Sequence, residues 1–378
     1  MKVSCLQENL NKGLNLVGRA AAARTTLPIT NNIYISTDEG RLKLVATNLE
    51  MAISCWIGAK VEEEGAITVP ARTISEFVAS LPNDKVEMSL SSQSKVLEMK
   101  CARFEGKISG VDAKEFPPIP RIEDGITTQA EADLLKRGIK KVVFAAATED
   151  SRPVLTGVNA EFDNETLTIA AADGFRLAVY KMPLGTKMAQ KVTAIIPSRT
   201  LAELLRLSGD QEDPITIIVS PTRSQIVFRL KDIELVSQLI QGNFPQYSQL
   251  IPQSFGTRAV ADVKQFAQAN KTASIFARDG SGIVRLIITP GESDVVPGKM
   301  TVSAKAEELG EDKGEIDATV QGPEAKIAFN NRYLADVLDA TGEAQVALEI
   351  TNPSSPGVFR PVNADNYLHV VMPMFVSW

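Results

Sequence analysis

A single histidine, His369, stands among 378 residues, and imidazole acid–base catalysis has almost nothing to draw on. Cysteine is nearly as scarce. Cys5, Cys55 and Cys101 form an odd set without a CxxC spacing, which excludes a disulfide framework and a zinc knuckle and leaves reduced, packed small hydrophobes. No GxSxG, HExxH, Walker A or GxGxxG stretch is present, and spacing singles out no catalytic pair of carboxylates. Glu50 in "TNLEM" and Glu149 in "ATEDSR" read as turn or surface acids, and Asp173 in "AADGFRL" as a turn residue before a metal ligand. No metal or cofactor is expected. No apolar run approaches the ~18 residues of a membrane span, and Met1-Lys2-Val3 leads into the polar "LQENLNKGLNLVGRA" without a signal-peptide core. The expected location is the cytoplasm. A formal charge of -6 excludes a basic coat, yet leaves room for a local basic patch.

What the chain has is threefold internal similarity. A length of 378 residues exceeds the ~250 that one core usually serves. "VPARTISEFVASLP" from Val69, "IPSRTLAELLRLSG" from Ile196 and "FNNRYLADVLDATG" from Phe329 align, with Arg72, Arg199 and Arg332 in register. These arginines are 127 and 133 residues apart, about a third of the chain. Apolar residues follow at i+2, i+5 and i+6, as Ile74, Phe77 and Val78, Leu201, Leu204 and Leu205, and Leu334, Val337 and Leu338. That spacing predicts three short amphipathic helices. Glu76, Glu203 and Asp336 fall at i+4, close enough to pair with each Arg.

Strand-like runs surround these helices, from Gly40, Glu165 and Gly282 before them and as "KVEMSLSSQSKVLEMKC", "PITIIVSPTRSQIVFRL" and "AQVALEITNPSSPGVF" after them. Each repeat therefore reads helix, strands, helix, strands, an α+β architecture. Short Pro/Gly-rich connectors at 117–129 and 250–258 set domains of 1–125, 126–251 and 252–378. In "EADLLKRGIKKVVFAAA", Leu135, Ile139, Val142, Val143 and Ala146 share one helical arc and Lys136, Arg137, Lys140 and Lys141 the opposite one. Such a face is either merely solvated or made for a polyanion, and four cations without an acid favour the polyanion.

"ARTTLPITNNIYIS", "VPAR", "AADGFRLAV", "GNFPQY" and "YLHVVMPM" together resemble the β subunit of bacterial DNA polymerase III, the sliding-clamp family, along the whole chain. The resemblance implies three clamp domains, each with two helices packed on β-sheets, and a head-to-tail homodimer closing a six-domain ring around duplex DNA. It implies no catalysis by the clamp itself. Arg24, Arg72 and Arg199 match DNA-facing positions, to which helix geometry adds Lys136, Arg137, Lys140, Lys141 and Arg332. A hydrophobic pocket for short peptides of the polymerase III alpha subunit, the clamp loader, other polymerases and repair proteins maps to Leu155, Gly174, Phe175, Arg176, Leu177, Pro245, Gln249, Val370, Val371, Met372, Pro373 and Met374. Leu368 to Val371 also read as a strand closing the third sheet. Phe104, Ile275 and Phe276 map to the dimer interface.

The chain departs from the family pattern at Ala172, Phe175 and Gln249, where Thr, His and Arg are common, and in its Phe375-Val376-Ser377-Trp378 ending. These changes bear on peptide preference. Pro153 and Val154 replace aromatics of some members, which bears on primer-strand contacts. Two other readings remain at this stage: a clamp-like paralogue with altered partners, and an enzyme of three repeats acting on a polyanionic substrate.

Overall fold

A computed structural model describes the chain except residues 22–26, 91–94, 121, 123–124, 150, 279–281, 293–295, 307 and 309. Among the described residues each repeat supplies two α-helices: α1 (Gln7–Val17) and α2 (Ala71–Ser80), α3 (Ala132–Val142) and α4 (Ser198–Leu207), α5 (Val263–Ala277) and α6 (Asn331–Thr341). The expected stripes are what these helices bury. Ile74 and Val78, Leu201 and Leu204, and Leu334, Val337 and Leu338 are all solvent-free or nearly so. Phe77 and Leu205 are half-buried. The Phe77 ring lies over Gly106, where an added Cβ would come within 2.4 Å of it. Strands alternate as a one-sided sheet requires. Val96–Cys101 buries Leu97, Met99 and Cys101 and exposes Glu98 and Lys100.

Contacts divide the chain into two compact units, Met1–Ala132 with Ala202–Leu239, and Asp133–Leu201 with Ile240–Trp378. The middle repeat therefore contributes to both. The first unit holds a five-stranded antiparallel sheet ending on Phe104–Ser109 and a nine-stranded one. Inside the latter, Met51–Ile57 of the first repeat pairs with Ile233–Gln238 of the second, Met51 opposite Ser237 and Cys55 opposite Ile233. All three cysteines are free and buried. Burial pushes the Cys5 thiol up to about 12 and, with Asp232 adding, the Cys55 thiol up to about 11, so neither is a thiolate at neutral pH.

The second unit repeats the device in a twelve-stranded sheet. Arg176–Pro183 pairs with Tyr367–Val371, Leu177 opposite Val370 and Tyr180 opposite Tyr367. Tyr367–Val371 pairs on its other side with Gly357–Pro361. The apolar tail is thus a central strand, buried on both faces, which accounts for its lack of charge up to Val371. Beneath it, Phe266, Phe329, Phe359, Leu334, Val337 and Val371 share one core. Each large side chain buried there contributes about 1.5–3 kcal/mol.

Candidate functional site

Arg72, Arg199 and Arg332 are the second residues of α2, α4 and α6, and all three are exposed. A cation in a first turn opposes the helix dipole, so helix stability does not explain a threefold recurrence. A phosphate would meet the guanidinium of each; α2 has no side-chain cap, whereas at α6 the Arg332 N–H is already held by Asn330 Oδ1 at 2.9 Å. The i+4 acids correct the sequence reading. Glu76 pairs with Arg72 at 2.8 Å, whereas Glu203 takes Arg206 at 2.7 Å and Arg19 at 3.4 Å, and Asp336 takes Arg176. In the second repeat another residue of the same helix, Arg206, displaces Arg199 with Arg19 adding, and in the third the distant Arg176 displaces Arg332.

On α3 the four expected cations divide. Arg137 and Lys140 are exposed. Lys136 lies largely covered and pairs with Asp133 at 2.8 Å. Lys141 contradicts the expectation of a free basic face. Its Nζ donates to the carbonyls of Ala340 and Thr341 at 3.0 and 2.6 Å and sits 4.7 Å from the Tyr367 ring centroid. The reason is that α6 stops at Gly342, in the left-handed region at φ 69°, and its last carbonyls need donors. Burial pulls the Lys141 ammonium below its ordinary pKa, with Glu343 opposing the shift and Arg137 adding to it. Arg24 lies outside the described residues. The sequence reading passed over α5, whose exposed Lys264, Gln265, Gln268 and Lys271 stand on a helix without a single acid. That composition was legible.

The residues of the expected peptide pocket fall in the second unit. Asp173 Oδ1 accepts from the backbone N–H groups of Phe175 and Arg176, both at 2.9 Å, and Gly174 between them holds φ 94°. This tight turn fixes where Phe175 and Arg176 leave the chain. Because successive side chains of a strand face opposite ways, Leu177 and Val370 share one face and Arg176 and Val371 the other. On the first face Leu177 and Val370 cluster with Ala170, Val179 and Val358, and Ala172, Tyr247, Ile251 and Leu368 pack against them. Val371 belongs instead to the core of the third repeat, a correction to its place in the pocket. Tyr247 and Ile251 were missed, although "NFPQYSQLIP" contains both. Burial, with Glu161 adding, pushes the Tyr247 phenol up to about 12.

Phe175, Leu250, Met372, Phe375 and Trp378 are exposed, and Phe175 stacks on Tyr333 with ring centroids 6.5 Å apart. Pro245 and Gln249 are exposed too, while Leu155 is buried in the Pro153–Thr156 turn and Pro373 in the tail. Met372 N donates to Phe175 O at 2.8 Å and Met374 N to Ala328 O at 2.7 Å, which ties the tail to both repeats.

Arg176 is a structural hub and only 10% exposed. Its Nε donates to Asp173 at 3.0 Å, Nη1 to Asp336 and Nη2 to the Phe144 carbonyl at 2.7 Å, with Tyr333 4.6 Å from the guanidinium carbon. His369 is fully buried, stacked on Phe144 with centroids 5.6 Å apart. Burial, and then Arg176, lower its pKa to about 3, so it is neutral. Of the expected interface residues, Phe104 and Ile275 are exposed and Phe276 packs against the core. Among the described residues no group of three or more His, Cys, Asp or Glu is placed to hold a metal ion.

Residues 1–120, 129–246 and 248–375 match the family models described as the N-terminal, central and C-terminal domains of the DNA polymerase III beta subunit. The chain is 30% identical to the beta sliding clamp of Bacillus subtilis over 384 residues, covering 99% of both chains. It is likewise 30% identical to that of Synechococcus elongatus over 377 residues, again with 99% of each covered. The crystal structure of the Bacillus subtilis DNA polymerase sliding clamp superposes with a TM-score of 0.94 at 29% identity, covering 100% of both chains. A Pseudomonas aeruginosa clamp bound to griselimycin gives 0.92 at 27% identity, also over 100% of both.

Proposed function

The chain belongs to the DNA polymerase III beta subunit family, the DNA sliding clamps, and from that premise we propose that two copies join head to tail as a ring that holds duplex DNA without catalysis. The three sequence repeats, 1–125, 126–251 and 252–378, are its domains. The observation that carries this reading is the equivalent, exposed placement of Arg72, Arg199 and Arg332 at three helix starts. Contacts of that kind neutralise phosphates and carry no base information, so the ring slides. Arg24, Arg137 and Lys140 add to the same field, and Lys136 to a smaller extent because it is covered.

Partner proteins, the polymerase alpha subunit and the clamp loader among them, dock short peptides on Leu177, Val370, Met372 and Met374, with Phe175, Pro245 and Gln249 at the rim. Apolar anchors with adaptable Met side chains suit several partners at one groove. Gly174 and Arg176 shape the groove without offering it a free polar group. Phe104 of one copy meets Ile275 and Phe276 of the other. The griselimycin complex of a relative shows that a clamp of this family takes a ligand.

Binding to short linear duplex, measured against salt, tests the DNA part. Replacing Arg72, Arg199 and Arg332 with Ala should flatten the slope of log affinity on log salt by about 0.9 for each phosphate no longer neutralised. Because those arginines oppose the helix dipoles, the melting temperature should hold or rise. An unchanged slope would remove the helix starts from the interface.

A further inference from the structure

The junction sheets of the two units are built alike, register for register. In the second unit Ala170 pairs with Val179, Val179 with Leu368, and Val358 with Val370. In the first, Val45 pairs with Ser54, Ser54 with Glu234, and Val227 with Val236. Phe116-Pro117 leads into one connector as Phe244-Pro245 leads into the other. The first junction also forms a concavity, a cavity of about 510 Å³ lined by Tyr34, Trp56, Phe116, Ile119 and the prolines of the connector. Its chemistry differs from that of the apolar groove. Ser54 and Glu234 occupy the positions of Val179 and Leu368, and Arg41, Lys43 and Arg229 reach the same space.

The aromatic side is built from two parts. Tyr34 packs on Phe116 with centroids 5.4 Å apart, and Trp56 donates Nε1–H to Asp38 at 2.8 Å beneath the Lys43 ammonium, 4.6 Å from the ring centroid. The arginines supply the charge. Arg41 and Arg229 are 40% and 45% exposed, whereas Asp38 and Glu234 are 30% and 20% exposed. Arg229 gives Nε to Glu234 at 2.8 Å and Arg41 gives Nη1 to Asp232 at 3.2 Å. Arg229 Nη2 also reaches the Ile122 carbonyl at 3.5 Å, which leaves Arg229 Nη1 and the Nε and Nη2 of Arg41 for an acceptor at the mouth. Glu39 on the lining and Asp232 beside Arg41 are the exposed charges of opposite sign.

We infer that this cavity is a second docking site, which takes a short extended segment of a partner protein carrying adjacent carboxylates next to an aromatic side chain. The carboxylates meet Arg41 and Arg229, and the ring lies on the half-exposed Tyr34 and Ile119. The site stands on its own cavity and cations, so it does not depend on the apolar groove binding anything.

Trp56 reports on it directly. In a Trp378→Phe variant Trp56 is the only indole, because the chain has two tryptophans. The probe is the peptide amide Gly-Ser-Asp-Asp-Phe-Gly, titrated into the intact protein. A saturable change in Trp56 fluorescence is expected, weakened about tenfold or more by Arg41→Ala with Arg229→Ala and by Asn for Asp in the peptide. Exposed ion pairs hold little of the fold, and Arg41→Lys with Arg229→Lys, which keeps the charge but loses the fork, should bind more weakly than the intact protein and more tightly than the Ala pair. Truncation after Val371, which strips the rim of the apolar groove, should leave the titration unchanged. No saturation at millimolar peptide, indifference to the arginine changes, or failure to bind after truncation would each overturn the inference.

Discussion

Arg176, Lys141 and His369 are charged or titratable residues that the fold spends on itself. Arg176 ties the Asp173 turn to Phe144 and Asp336, so Arg176→Ala should loosen the rim formed by Phe175 and weaken peptide binding even though Arg176 itself does not touch the peptide. Lys141→Ala should cost about 1 kcal/mol or more of stability, since two α6 carbonyls lose their donor, and leave the DNA salt slope alone. Arg137→Ala with Lys140→Ala should do the reverse, and thermal melts beside the salt titration separate the two. His369 sets a pH window. Its pKa falls from the ordinary 6.5 to about 3 on folding, so the unfolded chain binds the extra proton between those values. Stability contributed by the neutral ring is complete above 6.5 and is lost as pH falls toward 3, at about 1.4 kcal/mol per unit. In His369→Phe that part of the slope should vanish, which urea midpoints at pH 7 and pH 5 would reveal. The residue-level reading of the sequence failed where a partner comes from far along the chain. Lys141 meets α6 some two hundred residues away, and no helical wheel contains that information.

Elements were more legible than residues, because periodicity is local. The buried stripes of α2, α4 and α6 follow directly from the spacing of their apolar residues, and the uncharged tail from Leu368 reads as a strand closing the third sheet, whereas its second neighbour, Arg176–Pro183, comes from another repeat and was not legible. Which face of that strand each side chain takes also follows from alternation, and applying it would have placed Val371 in the core. The tail divides accordingly. Truncation after Val371 removes two backbone hydrogen bonds and the exposed Met372, Phe375 and Trp378, but leaves the paired strand intact. The shortened protein should remain folded, with a modest fall in melting temperature, and should lose apolar peptides, since anchor side chains carry most of the affinity at such sites. Retained affinity on isothermal titration would return the tail to a purely structural part.

At the scale of the molecule, the proposed head-to-tail ring requires two unlike surfaces on each copy that meet across its interface. Phe104 lies on the last strand of its five-stranded sheet, and Ile275 is exposed on α5. Phe104→Arg with Ile275→Arg should give a monomer by light scattering without a large loss of stability, because neither side chain is part of a core. Phe276 is a poorer choice, being packed against the third-repeat core. In the proposed ring, encirclement holds the DNA and the helix-start arginines only ease the passage of phosphates. Encirclement is tested most directly by assembling the protein on nicked circular plasmid with a clamp loader, raising the salt, and then cutting the circle at one site. Retention on the circle at high salt followed by release on linearisation is the predicted result, and equal retention before and after the cut, or none on the circle, would contradict it.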